Sequence, residues 1–240
     1  MKKKNNQLPF GIIAVVAVAA IVGAFLYMRS AGGTPPARTN TNANANKAAN
    51  PATKTNVLAG ATAGAEPAWS RGPTSAPIVI EEFADFECPS CAGFEPIIRQ
   101  VKTIYGDKVR VVFRHYPLTQ IHQKAYDAAR ATEAAGMQGK FWEMHDVLYD
   151  KQKDWTVSGD HRNEFANYAK QLNLDVDKFK TDMLGMVTAA RVDADKKRGD
   201  SAQIRSTPSA FLNGRPLDFT TEMSNVEALR RAVENALQGK

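Results

Sequence analysis

The chain has 240 residues, 43% apolar and 23% charged, with a formal net charge of +6 and two cysteines. Eight of its 31 Lys/Arg but only one of its 25 acids fall in residues 1–72, so the positive charge belongs to that stretch and residues 73–240 are near neutral. A near-neutral body excludes the electrostatic footprint of a nucleic-acid binder. Two cysteines exclude a disulfide-stapled scaffold and a self-contained four-cysteine zinc module.

Residues 10–28, FGIIAVVAVAAIVGAFLYM, contain no charge. As a helix they span about 28 Å, close to the ~30 Å hydrocarbon core of a bilayer. Lys2, Lys3 and Lys4 precede them, which places residues 1–9 in the cytoplasm and everything after the segment outside. The run passes into Tyr27, Met28 and Arg29 without a small-x-small cleavage site, so it is read as an uncleaved transmembrane anchor rather than a signal peptide. Of the 44 residues 29–72, 35 are Ala, Thr, Asn, Gly, Pro or Ser, and a disordered stalk is expected there. One exported domain remains, over residues 73–240.

In that domain the β-branched and aromatic run 78–86 predicts a buried strand. Phe94, Ile97, Ile98, Val101, Ile104 and Tyr105 recur at three- and four-residue spacing and predict an amphipathic helix ending at Gly106. VRVVF, 109–113, predicts a second strand, and strand–helix–strand in this order argues for a right-handed βαβ unit. Residues 121–200 read as helical throughout, with breaks near 136–139, 156–159 and 173–175. A third strand follows at 209–212. Asn213-Gly214 is a type I′ hairpin signal leading into a strand at 215–219, and 226–237 closes the chain as an amphipathic helix.

Cys88-Pro89-Ser90-Cys91 lies where the first strand passes into the first helix. Pro89 suits the first helical position and makes Cys88 the N-cap. The unpaired N–H groups and the dipole of a helix start stabilise a thiolate there, lowering a thiol pKa to roughly 3.5–7.5. Cys91, one turn on, faces the same side and can close a disulfide. A four-residue disulfide loop stabilises little, so a purely structural bridge is the weaker reading.

The segment FADFECPSCAGFEPI resembles the active-site segment of the thioredoxin superfamily, in its DsbA-like branch of exported thiol–disulfide oxidoreductases. The resemblance extends to Glu82, six residues before Cys88, and to Pro96, eight after it. It also includes Thr207-Pro208, which opens TPSAFLNG where the superfamily has a cis-proline beside the disulfide. Pro208 follows Cys91 by 117 positions, and most of the intervening chain resembles the branch's helical insert. The implied fold is α/β, a thioredoxin fold with a helical domain at about 121–200 inserted between the βαβ unit and a C-terminal β-hairpin plus helix. The implied catalytic residues are Cys88, which exchanges with a substrate cysteine, Cys91, which resolves the mixed disulfide, and Glu82, the buried acceptor of the Cys91 proton. Pro89, Ser90, Thr207 and Pro208 support them.

Strand alternation leaves open whether Glu82 or Glu81 takes the inward face. Glu87, beside Cys88, is expected to oppose its thiolate and weaken the oxidant. His115, His122, His145 and His161 show no i, i+4 pairing, so no metal site is expected. The 141–149 stripe, Met183 and Met186 read as packing, and Lys196-Lys197-Arg198 as a solvated helix face. The expected activity is a dithiol oxidase introducing disulfides into exported proteins, without a cofactor. Its partners are those proteins' thiols and a quinone-linked membrane protein that resets the disulfide. A reductase or isomerase on the same fold is the alternative, although no N-terminal dimerisation domain precedes the exported body. From another class, the alternative is a metal-binding or metal-delivery protein using the Cys pair.

Overall fold

The structure, a computed structural model, describes residues 56–239. The expected tail at 1–9, the anchor at 10–28 and the stalk as far as residue 55 lie outside them; among the described residues no helix is long and apolar enough to cross a membrane. Five strands form one mixed sheet: β1 (Trp69–Arg71), β2 (Ile78–Ala84), β3 (Val109–His115), β4 (Ser209–Leu212) and β5 (Arg215–Pro216), in the order β1-β3-β2-β4-β5. β2 and β3 are parallel and joined by helix α1 (Pro89–Tyr105); the other pairs are antiparallel. Between β3 and β4 the chain makes α2 (Ala125–Gly136), α3 (Phe141–Asp150), α4 (Gln152–Trp155), α5 (His161–Gln171), α6 (Val176–Met183) and α7 (Met186–Ser201). Helix α8 (Val226–Leu237) follows β5. This is the expected thioredoxin-like α/β fold with a helical insert.

β2 is the central strand, covered on both faces. Its residues Ile78 and Ile80 pack with Phe94, Ile98 and Val101 of α1 and with Leu229 and Val233 of α8. Each such buried side chain contributes about 1.5–3 kcal/mol relative to exposure. Phe83 points the other way, into a cluster with Leu58, Tyr116, Ile204 and Phe211. A third cluster joins the two cysteines, Phe86 and Phe113 to Phe141, Met144, Leu148, Trp155, Phe165 and Phe179 of the insert. α7 approaches the sheet closely because Gly199 lacks a side chain: a Cβ there would sit 2.6 Å from the Tyr116 ring and 3.2 Å from Phe83. The Asn213-Gly214 turn has positive φ at both residues, 49° and 82°, as a type I′ hairpin requires.

Several expectations need correction. Order begins well before residue 73. β1 pairs with β3, the Trp69 ring stacks on Phe141 at 4.4 Å, and Leu58 and Ala65 are buried. Composition read these residues as stalk because small side chains have little to bury. Here the backbone supplies the attachment, with the Ala65 N–H donating to Asp195 at 2.8 Å and the Ala65 carbonyl accepting from Arg114 at 2.8 Å. The insert also breaks at Lys151, which carries no strong breaker, and at Leu184–Gly185, where a single glycine marks the break. The last strand stops at Pro216, because Asp218 gathers the N–H groups of Thr220 and Thr221 into a turn. Ile104 and Met186 are exposed rather than packed. Arg198 is no solvated lysine-like neighbour; its guanidinium is half-buried on Glu81 at 2.7 Å.

Candidate active site

The β2–α1 junction builds the site. Cys88 has extended backbone (φ −73°, ψ 120°) and is the N-cap of α1, with Pro89 at the first helical position. Proline's missing N–H costs nothing there, and the N–H groups of Ser90 and Cys91 act favourably on a negative Cys88 sulfur. Pro89 and Ser90 are exposed, Cys88 keeps 7% of its surface, and Cys91 is fully buried. Gln152 of α4 fixes the turn from behind, its amide donating to the carbonyls of Phe86 at 2.8 Å and Cys88 at 2.9 Å.

Both cysteines are free thiols and they are electrostatically unlike. The Cys88 thiol is pulled down to about 5: the Cys91 thiol donates to it, and the N–H groups of Cys91 and Ser90 also hold the thiolate against the opposing effect of burial. Burial, then the hydrogen bond and charge of Cys88 and the charge of Glu82, push Cys91 well above the ordinary thiol range, while a 3.5 Å hydrogen bond from the Asp85 N–H pulls the other way. These opposite shifts favour a thiolate at Cys88 and a protonated thiol at Cys91 at neutral pH. Glu87, expected to hinder the thiolate, turns its carboxylate to the Lys124 N–H at 2.7 Å and is not among the main influences on the Cys88 thiol.

The Thr207–Pro208 peptide bond is cis, as the resemblance implies, and this loop lies against the cysteine pair, with Cys88 Sγ 3.4 Å from the Thr207 carbonyl oxygen. Pro208 itself is buried.

Glu82 takes the face toward α1 and is 2% exposed, without a hydrogen-bonded or ionic partner among the described residues. Burial, and then the charge of Glu95, push its carboxyl up to about 8. It lines a cavity of about 160 Å³ together with Glu95, Arg71, Arg99, Trp142 and His145. The structure therefore brings all seven sequence-predicted residues to one end of the sheet: Glu82, Cys88, Pro89, Ser90, Cys91, Thr207 and Pro208.

Residues that the sequence reading passed over complete the surroundings. Asp85 accepts from the N–H groups of Glu87 at 2.7 Å and Leu118 at 2.8 Å and meets His122 Nδ1 at 2.8 Å. Glu95 lies one helical turn after Cys91, a spacing that could have revealed it. Tyr149 and Gln152 carry no local signal, because they arrive from the insert. His145 and Asp146 join Glu95 in a group whose ligand atoms lie within 4.8 Å of one another. That grouping was not foreseen from histidine spacing. Its carboxylates are engaged by guanidinium groups: Arg71 on Asp146 at 2.6 Å and Arg99 on Glu95 at 2.9 Å. Two guanidinium groups already ion-paired with these carboxylates oppose a third positive charge, and burial holds His145 below its ordinary range despite Asp146.

A family model described as thioredoxin matches residues 65–235. The fold is similar to BdbD from Bacillus subtilis (TM-score 0.64, 23% identity, 75% of this chain and 99% of that one). It is also similar to alpha-DsbA1 from Wolbachia pipientis (0.62, 17%, 74% and 94%) and to the catalytic domain of ScsC from Proteus mirabilis (0.58, 19%, 71% and 89%). Among curated proteins, a stretch of 169 residues is 40% identical to part of the Na(+)/H(+) antiporter NhaA 1 of Salinispora arenicola, covering 70% of this chain and 24% of that protein. A stretch of 167 residues is 38% identical to part of NhaA 1 of Mycolicibacterium vanbaalenii, covering 67% and 26%. The chain spans about a quarter of the length of these curated relatives.

Proposed function

This chain belongs to the thioredoxin family, and from that premise we propose that it is a thiol–disulfide oxidoreductase working as a dithiol oxidase on exported proteins. The observation that carries the reading is the asymmetry of the pair: a stabilised thiolate at the helix start, where Cys88 keeps 7% of its surface, and a fully buried, protonated partner one turn later. Stabilising the reduced form makes the disulfide a better electron acceptor.

In the oxidising direction a substrate thiolate attacks Cys88 Sγ of the Cys88–Cys91 disulfide. The bond to Cys91 breaks, a mixed disulfide forms, and Cys91 leaves as a thiolate that takes a proton from Glu82, which is largely protonated at neutral pH. A second substrate thiolate attacks the substrate sulfur and Cys88 leaves as a stable thiolate. The substrate loses two electrons and the enzyme gains them. Recharging reverses the flow: Cys88 attacks a partner disulfide, the Glu82 carboxylate takes the Cys91 proton, and the Cys91 thiolate attacks Cys88 and releases the reduced partner. Thr207 and Pro208 present backbone to the extended substrate segment.

The uncharged run at 10–28 is the membrane anchor of this reading, holding an extracytoplasmic domain near a quinone-linked partner. The recurrence of the segment within proteins named for a membrane antiporter supports a membrane setting. The test is a glutathione redox titration with oxidative refolding of a reduced, disulfide-containing substrate. The expected potential lies between roughly −120 and −270 mV, the oxidant and reductant ends of the superfamily. A value at or below the lower end with no refolding would make the protein a reductase. Cys88→Ser should abolish exchange, and Cys91→Ser should accumulate mixed disulfides.

A further inference from the structure

Phe86, Glu87 and Cys88, the three residues that turn β2 into α1, are all held from one place in the insert. Gln152, the first residue of α4, is 8% exposed, and its side-chain amide donates to the Phe86 carbonyl at 2.8 Å and to the Cys88 carbonyl at 2.9 Å. Both partners are acceptors, so the NH2 end of the amide, and not its oxygen, must face them. Lys124 makes a second link. Its backbone N–H donates to the Glu87 carboxylate at 2.7 Å, and its ammonium donates to the carbonyls of Thr156 and Ser158, just past α4. α4 itself is fixed by the fully buried Trp155, whose indole donates to the Leu148 carbonyl at 2.8 Å. An amide is costly to bury unless its bonds are made, and an unbranched apolar side chain such as methionine fills similar space without that cost. Packing alone gives no reason for a glutamine at this position.

We propose that Gln152 is a positioning residue of the exchange, holding the Cys88 backbone in the extended N-cap conformation that places its sulfur at the start of α1. The proposal rests on the thiol–disulfide reading above. A Ser, Thr or Asp at an N-cap fixes its own backbone by accepting a helix N–H. Cys88 makes no such capping bond, and its extended geometry (φ −73°, ψ 120°) is restrained instead by the Gln152 amide on its carbonyl and on that of Phe86. The N–H groups of Ser90 and Cys91 then act on the sulfur when it becomes an anion. Gln152 forms no covalent bond and exchanges no proton in the reaction. Its consequence is that the reactivity of Cys88, on the thioredoxin-like part of the chain, depends on the docking of α4 from the insert.

The experiment uses the full chain in its reduced form. Gln152→Met keeps the reach and bulk of the side chain and removes the donor. The rate of Cys88 alkylation, followed across pH, should show its midpoint moved up by about 0.5–1 pH unit, the equivalent of one ordinary hydrogen bond. The equilibrium with glutathione should move by the matching factor, about threefold to tenfold toward the disulfide, because the reduced form loses that much thiolate stabilisation. Gln152→Asn keeps the amide on a stem one carbon shorter. It should shift both quantities in the same direction, and it carries the test if the methionine variant does not fold. Phe179→Leu is the control, a buried change on α6 that loosens the insert core and touches neither link. It should lower the melting temperature and leave midpoint and equilibrium at their wild-type values. Variants at position 152 that stay within about 0.2 pH unit and about 1.5-fold of wild type, whatever their melting temperature, overturn the proposal and leave Gln152 as a structural contact. An equal shift in Phe179→Leu overturns it as well, since general loosening would then suffice. Failure of the wild-type protein to equilibrate with glutathione would instead overturn the exchange reading, and this proposal with it.

Discussion

Glu81 and Glu82 are neighbours on one strand and meet opposite fates. Glu81 faces α7 and is met by two guanidinium groups, Arg114 Nε of β3 at 2.8 Å and Arg198 Nε of α7 at 2.7 Å. Burial raises its pKa, but the hydrogen bonds and charges of Arg198 and Arg114 outweigh it and hold the carboxyl below its ordinary range. Glu82, one residue on, faces α1 with no cation on it and rises to about 8. The fold thus can neutralise a buried acid, and does so one residue away from the acid it leaves alone. Paired, the carboxylate is a structural clamp fixed in one charge state. Alone beside a buried thiol, it changes protonation near neutral pH, which is what a group that moves the Cys91 proton needs.

The comparison can be broken from the Glu81 side first. Arg114→Ala strips a buried guanidinium from Glu81 and Asp195 and leaves both acids buried. The expected loss is about 3–5 kcal/mol in a urea melt, the cost of orphaning a buried charge. Arg198→Ala, at a more open position, should cost less, about 1–3 kcal/mol. It should also raise the pKa of Glu81 toward that of its neighbour. A loss below about 0.5 kcal/mol for Arg114→Ala would mean that the clamp holds nothing.

From the other side, Glu82→Gln removes the titrating proton. Because the folded pKa of Glu82 is raised, the folded state binds more protons than the unfolded one between about 4.5 and 8. Its contribution is therefore harmless below that window, and stability falls as pH rises through it. Glu82→Gln should flatten this decline in pH-dependent urea melts and slow resolution of the mixed disulfide at neutral pH. An undiminished decline would assign the proton to another group. Glu95→Gln is the smallest change. Loss of the Glu95 charge should move the Glu82 midpoint down by less than about one pH unit, readable by carboxyl NMR.

The sequence made much of this frame legible, for reasons that differ by element. β2, α1 and β3 were readable because their periodicities are long and their ends are marked, by Pro89 at one end of the helix and Gly106 at the other. β1 was not, because three residues carry no period. It exists through its backbone ladder to β3 and the fit of the Trp69 ring, which enters where Gly136 has no side chain. Cys88 and Cys91 announce themselves locally. Glu82 followed only from its spacing to Cys88 in a resembling segment, since alternation cannot choose between adjacent acids. Tyr149 and Gln152 were invisible as site residues: both lie about 60 positions away in sequence, and helical spacing marks such residues only as core.

The two thiols of one short motif are held in opposite charge states. Thiolate absorbance of the reduced protein, titrated in the ultraviolet, tests it most directly. One thiolate should appear with a midpoint near 5 and be lost in Cys88→Ser, with the second forming only above the ordinary thiol range. Two thiolates rising together near 9 would contradict it.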